Sequence, residues 1–387
     1  MSLLSNLRSE AVDAPASGIV EVSSYGRARQ GVIAMWVGEG DTPTPSFIMD
    51  AATRSLAAGE TFYTWQRGIP ELRDAIARYT ARTYAKPFQR EQFYVTGGGM
   101  QAVQIAIRML AGVGDEVIIP TPAWPNFSAA IGISGATTIP VRQSFGATGW
   151  TLDIADLAAA ITPRSKAIVI NSPANPTGWT ASEAELRAFL ALARAHDLWI
   201  IADEIYGRFV YESHRAPSFH DVMQDGDKII FVQTMSKNWA MTGWRIGWLE
   251  VPPELGPVVE NLIQYSTSGS PVFVQRAAIA ALDQGDSFIA HQINRARQSR
   301  DVICDALVAT GKAHFLKPAG AFYLFFSLDG ITDSRKEALR MIDEAGVGLA
   351  PGMAFGEGNE AFFRLCFARS PEQAAEAARR LKRWVIG

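Results

Sequence analysis

The sequence predicts an α/β fold: a large domain with a mostly parallel seven-stranded sheet flanked by helices, plus a smaller α+β domain. Three observations carry this expectation. From about residue 45 to 285, short near-continuous apolar runs alternate with helix-patterned segments, the pattern of a parallel sheet covered on both faces. After residue 285 the strand-like runs segregate from the helices, which is the grammar of an α+β unit. With 387 residues, 48% hydrophobic and 19% charged, the chain is long enough for two cores and too apolar to be disordered.

The strands expected in the large sheet are QFYVT (92–96), EVIIP (116–120), ATTIPV (136–141), KAIVIN (166–171), LWIIAD (198–203), KIIFVQ (228–233) and WRIGWLE (244–250). Helical segments lie between most of them. SEAELRAFLALARAH (182–196) is an example, with a Ser cap and acids in its first turn, both of which favour a helix start. The later unit reads as a long helix over roughly 286–310, strands in AHFLK (313–317), GAFYLFFSL (320–328) and AFFRLCFA (361–368), a helix near 334–345 and a last helix from Pro371. Residues 1–30 read as a mobile or docking arm. The expected division is 1–45 as arm and part of the small domain, 46–285 as the large domain and 286–387 as the small one.

Composition excludes several classes. A net charge of −3 shows no bias toward polyanions, which argues against nucleic acid as the main partner. The two cysteines, Cys304 and Cys366, sit in no CxxC pattern, and the five histidines form no ligand spacing, so neither a disulfide framework nor a metal is expected. No apolar run approaches the ~18 residues of a membrane span, and no signal-peptide h-region is visible. A cytoplasmic enzyme is the expectation.

The chemistry-bearing residues gather at strand ends, where ligands bind in open α/β sheets. Lys237 follows KIIFVQ inside TMSKNWAMTGWRIG (234–247), with Thr234 three residues before it and Arg245 eight after. A lone lysine is usually a solvated surface charge. Burial, however, favours the neutral amine, the nucleophile that forms Schiff bases, and hydroxyl plus guanidinium is phosphate-binding chemistry. The pair points to an aldehyde cofactor carrying a phosphate, pyridoxal 5'-phosphate. Gly97-Gly98-Gly99-Met100 after QFYVT would cradle a phosphate at a helix N-terminus, although an ordinary strand–helix turn reads the same way. Trp124, between Pro122 and Pro125, would stack on a planar ring or simply fill a core. Asn175, in a proline-rich turn after KAIVIN, would donate to a phenolate oxygen. Asp203 ends an apolar strand, and such an acid needs a cationic partner or a helix to cap. A protonated pyridine nitrogen would serve. Tyr206 follows three residues on, within reach of the same ring.

SKNWAMTGWRIG, with NPTG (175–178) and DEIY (203–206) in this order, resembles the class I/II aminotransferases of the aspartate aminotransferase superfamily, the fold-type I pyridoxal-phosphate enzymes. The resemblance runs from about Gly38 to the C-terminus. It implies that Lys237 is the Schiff-base lysine and proton shuttle, that Asp203 pairs with the pyridine nitrogen, and that Tyr206 and Asn175 bind the ring oxygen. It further implies that Trp124 stacks on the ring and that Gly99, Met100, Thr234 and Arg245 hold the phosphate. Arg364 and Gly38 would bind the substrate α-carboxylate, with Trp124 and Asn175 beside the substrate. Tyr63 would reach the phosphate of a partner subunit, which implies a homodimer with shared sites. Met100 departs from the hydroxyl or Lys common there, Gly40 from a frequent proline, and Trp65-Gln66-Arg67 from small residues.

The resemblance implies amino transfer from an α-amino acid to a 2-oxo acid by a ping-pong route. The donor would be aspartate-like, with Arg67 as candidate partner for a distal carboxylate, or aromatic or large and apolar, given Trp36, Trp65 and Trp124. A C–S (β-elimination) lyase on the same fold is the alternative, because fold does not fix reaction. A regulator built on the same body would need a basic DNA-binding module, which is not seen in this sequence.

Overall fold

The computed structural model describes residues 3–387. All seven expected segments form strands of one sheet: β1 (Phe93–Thr96), β2 (Glu116–Thr121), β3 (Thr137–Arg142), β4 (Ser165–Asn171), β5 (Trp199–Asp203), β6 (Ile229–Thr234) and β7 (Gly247–Glu250), in the spatial order β1-β7-β6-β5-β4-β2-β3. Every neighbouring pair is parallel except the two made by β7. The continuous apolar runs follow from burial on both faces. Along β5, Ile200 and Ala202 join the core on one side of the sheet, while Ile201 joins the core on the other. WRIGWLE is shorter as a strand than its sequence suggests. Thr242–Trp244 is a 3-10 turn and Arg245 is left-handed at φ 51°, so the chain bends before β7 begins.

The helices that matter to the site are α1 (Gly18–Arg27), α2 (Gly99–Leu110), α3 (Glu183–Ala195), α4 (Asp286–Val308), α5 (Ser334–Ala345) and α6 (Pro371–Ile386). Ser182 and Glu185 close a capping box at the start of α3, the reciprocal pairing that satisfies two free N–H groups. The smaller unit carries a second, antiparallel sheet in the order β8 (Ala313–His314), β9 (Tyr323–Leu328), β11 (Phe362–Cys366), β10 (Ala350–Pro351). α4 packs against α6. No described helix is long and apolar enough to cross a membrane.

Within the segment expected to be a mobile or docking arm, residues 17–29 are docked on the smaller unit. Ser17 caps α1 by accepting from the Val20 N–H, and α1 lies on α5. Glu21 pairs with Arg335, the Tyr25 hydroxyl donates to Asp343 at 2.7 Å, and Arg29 bonds Asp343 at 2.6 Å. Two glycines, Gly18 and Gly26, weaken the intrinsic preference of this stretch for helix. Tertiary contacts supply the stability that propensity does not.

Candidate active site

The carboxyl ends of the strands converge on a cavity of about 540 Å³. It is lined by Gly38, Gly99, Met100, Trp124, Asn175, Asp203, Tyr206, Thr234, Lys237, Arg245 and Arg364, together with residues of α1. Register explains the convergence. Asn171 at the end of β4 lies beside Asp203 at the end of β5, and Asp203 pairs with Val232 two residues before the end of β6.

One end of the cavity is a cradle for an anion. Gly98 precedes α2 at φ 89°, and no side chain caps the helix, so the first N–H groups face outward with the positive end of the helix dipole. A methyl group on Gly98 would come 2.8 Å from Arg245 Nη2. Thr234 Oγ1 donates to Ser236 Oγ at 2.9 Å, placing two hydroxyls beside the same turn. Arg245 Nη1 donates to the Thr242 carbonyl at 2.8 Å, which anchors the guanidinium in its loop. Such a nest fits a phosphate.

The cavity floor carries the acid and the amine. Asp203 is buried and has no ion-pair partner among the described residues; its Oδ1 accepts from the Ile205 N–H at 3.3 Å. Desolvation pushes its carboxyl up to about 7, because a dry surrounding disfavours the charged form. Lys237 Nζ donates to the Gly38 carbonyl at 2.7 Å, and burial lowers its amine to about 8. The Tyr206 and Tyr323 hydroxyls share a hydrogen bond of 2.7 Å, and burial raises both phenols. An unpaired buried acid on the cavity floor is the feature that a ring cation would complete.

On the opposite wall, Arg364 of β11 is buried. Its Nη1 donates to Asn175 Oδ1 at 2.9 Å, its Nη2 to the Trp36 carbonyl, and its Nε has no partner among the described residues. The guanidinium lies 4.6 Å from the Tyr323 ring centre and 4.9 Å from that of Phe355. With its oxygen engaged, Asn175 keeps an NH2 free of protein acceptors. A methyl group on Gly38 would collide with the Tyr323 hydroxyl, so the chain can pass here only without a side chain.

Four candidate residues from the sequence, Trp36, Tyr63, Trp65 and Arg67, do not line this cavity; Trp36 is buried, and only its carbonyl meets the site by accepting from Arg364. Tyr63 is 94% exposed on a separate groove with Phe62, Trp65 and Arg276. Arg67 is ion-paired with Glu260, away from the lining of this cavity. Sequence reasoning missed Ser236, Tyr323, Asn171, Asn126 and α1. Ser236 lies inside the lysine motif, and Tyr323 is a hydroxyl within an apolar strand; both were visible signals. Asn171 Nδ2 donates to the Asp203 carbonyl at 3.1 Å, clamping the strand end. On the far side of the sheet Glu204 is buried in a different polar cluster. It accepts from Ser218 Oγ at 2.6 Å and the Phe219 N–H at 2.9 Å, beside the His220–Glu250 pair.

A family model described as aminotransferase class I and II matches residues 31–381. The chain belongs to the class I and II aminotransferases. The aminotransferase is 33% identical to the aspartate aminotransferase of Thermotoga maritima over 95% of this chain and 96% of that one. It is 33% identical to an arginine–pyruvate transaminase of Pseudomonas aeruginosa over 95% and 94%, and 32% identical to a probable N-acetyl-LL-diaminopimelate aminotransferase of Bacillus subtilis over 98% and 96%. The crystal structure of the Thermotoga enzyme superposes with a TM-score of 0.92 at 32% identity, covering 98% of this chain and 100% of that one. These relatives favour amino transfer over β-elimination.

The buried acid gives the aminotransferase a testable pH signature. The Asp203 carboxyl is raised from 3.8 to about 7, so its cost to the folded state is fully present above pH 7 and is relieved as the pH falls toward 3.8. The cost corresponds to roughly 4 kcal/mol as an upper figure. Asp203→Asn is therefore expected to stabilise the cofactor-free protein at pH 8 and much less at pH 5. Urea unfolding at both pH values checks it, and an equal effect at the two would show that Asp203 carries no desolvation cost.

Proposed function

We propose that this aminotransferase moves the amino group of an α-amino acid to a 2-oxo acid in two half-reactions at this one cavity, with pyridoxal 5'-phosphate as its cofactor. The observation that carries the reading is that a desolvated lysine and an unpaired buried aspartate face one cavity whose wall presents a buried, incompletely bonded arginine. The N-terminus of α2 at Gly99 and Met100, with Thr234, Ser236 and Arg245, would hold the phosphate. Asp203 would pair with the ring nitrogen, Tyr206 and Asn175 with the ring oxygen, and Trp124 would cover the ring face. When bound, the cofactor supplies a carbonyl for the amine and an electron-withdrawing ring.

The protein's own groups do the remainder. With its amine lowered to about 8, Lys237 has an accessible neutral form near physiological pH, so Nζ can take the substrate α-proton and later release it. Asp203, once beside a ring cation, stays ionised and keeps that cation charged. Arg364 Nε, the Asn175 amide and the Gly38 N–H offer donors to an α-carboxylate, which a planar guanidinium suits. The exposed Phe62, Tyr63 and Trp65 support a homodimer in which Tyr63 enters the partner's phosphate site. A cytoplasmic setting fits this chemistry. The relatives' names cite unlike side chains, so donor choice rests on the cavity. Trp124, Met100 and Val37 would accept an aromatic or large apolar donor, and an aspartate-like donor needs a further cation.

The test is an absorbance spectrum of the cofactor-loaded protein with single amino acids. The yellow band is expected to bleach with a donor and return with 2-oxoglutarate. A band that persists while pyruvate or ammonia accumulates would replace amino transfer by β-elimination. No band after adding cofactor would overturn the assignment of Lys237.

A further inference from the structure

Four cationic side chains line the cavity: Arg27, Lys237, Arg245 and Arg364. The last three have parts in the reading above. Arg27 has none, and its position is set by helix geometry. Residues 21, 25 and 29 lie one turn apart, and they carry the bonds that tie α1 to α5. Residues 19, 20, 23, 24 and 27 fall on another face with helical spacing, and all of them line the cavity. Side chains three and four apart share a face, so pinning one face turns the other over the cavity.

Arg27 ends that inward face. Arg29, two residues on, is held by Asp343, whereas Arg27 is exposed and forms no ion pair with a described residue. The side chains nearest it on the helix are hydroxyls, Ser23 and Ser24. Asp203 is the one carboxylate among the lining residues, and it sits buried on the floor. Arg67, the other candidate for a second negative charge, is held by Glu260. The roof of the cavity therefore offers a guanidinium fork with no anion of the described residues to fill it, the group that recognises a carboxylate by two parallel hydrogen bonds.

We propose that Arg27 reads the charge of the substrate side chain, so that the site favours amino acids and 2-oxo acids with a second carboxylate distant from the α-carbon. The proposal rests on the amino-transfer reading, and its test separates the two. Succinate and butyrate have the same carbon count and differ by one carboxylate. Calorimetry on the cofactor-loaded enzyme is expected to show succinate bound about tenfold more tightly than butyrate, the effect of one charge-assisted pair. The preference falls at high salt, since Arg27 is exposed. Arg27→Gln is expected to erase it, and Arg27→Lys to keep most of it. In turnover, Arg27→Gln lowers kcat/KM for aspartate and glutamate about tenfold and leaves alanine within about twofold. An unchanged succinate preference in Arg27→Gln, or none in the parent enzyme, overturns the role of Arg27. A preference that Arg27→Gln erases, in an enzyme that transfers no amino group from any amino acid, supports the subsite and overturns the function instead.

Discussion

Lys237→Ala is expected to lower turnover by about four orders of magnitude or more, because one amine serves as both nucleophile and proton carrier. Nothing else lining the cavity replaces it: the other cations are guanidiniums, which stay protonated in proteins and cannot act as bases. The fold is expected to survive. The Lys237 amine is lowered from 10.5 to about 8, so the buried cation costs stability below pH 8, and that cost disappears as the pH rises toward 10.5. Removing it at pH 7 relieves the protein of a strained charge. The cofactor is expected to remain, held without a covalent bond by the α2 cradle, Thr234 and Arg245. A dialysed sample that keeps its cofactor absorbance yet fails to turn over is the expected result, and repeated turnover in this variant would remove Lys237 from the chemistry.

Arg364→Ala is expected to raise KM for every α-amino acid and to lower kcat/KM by about two to three orders of magnitude, since it deletes the charged fork opposite the lysine. The loss reaches further than the substrate. Asn175 Oδ1 and the Trp36 carbonyl lose their donor, and two rings lose the cation stacked on them. Unsatisfied buried acceptors cost about 1–3 kcal/mol each, so the variant is also expected to melt lower. Arg364→Lys separates the two effects: it restores a charge without the planar fork, so KM recovers only in part. Steady-state kinetics with three unlike donors checks this, and an unchanged KM would remove Arg364 from the carboxylate role.

The large sheet was legible because strands buried on both faces leave uninterrupted apolar runs, and all seven runs are strands. The floor of the site was legible for a related reason, since Asp203 and Lys237 are charged residues set at the ends of such runs. The roof was not. Gly18 and Gly26 hide a helix whose stability comes from Arg335 and Asp343, more than 300 residues along the chain. Long-range pairing also decided the fate of individual arginines. Arg364 finds Asn175 at a separation of 189 residues, and Arg67 finds Glu260 at 193. No local pattern distinguishes the arginine at the cavity from the one bound elsewhere. The bend at Arg245 was missed because GWRIGWLE has strand composition throughout, while the left-handed residue within it is a tertiary demand.

Asp203 and Glu204 are adjacent carboxylates with unrelated surroundings, one over the cavity and one in the cluster of Ser218, His220 and Glu250. Side chains alternate across a strand, so a slip of β5 by one residue would exchange them. The longer acid would then face the cavity and the shorter one would fall short of Ser218. Which carboxylate faces the cavity is thus a matter of phase, held by the pairing of Asn171 with Asp203. Inserting or deleting a single residue in β5 would silence the enzyme while every residue of the site remained in the sequence.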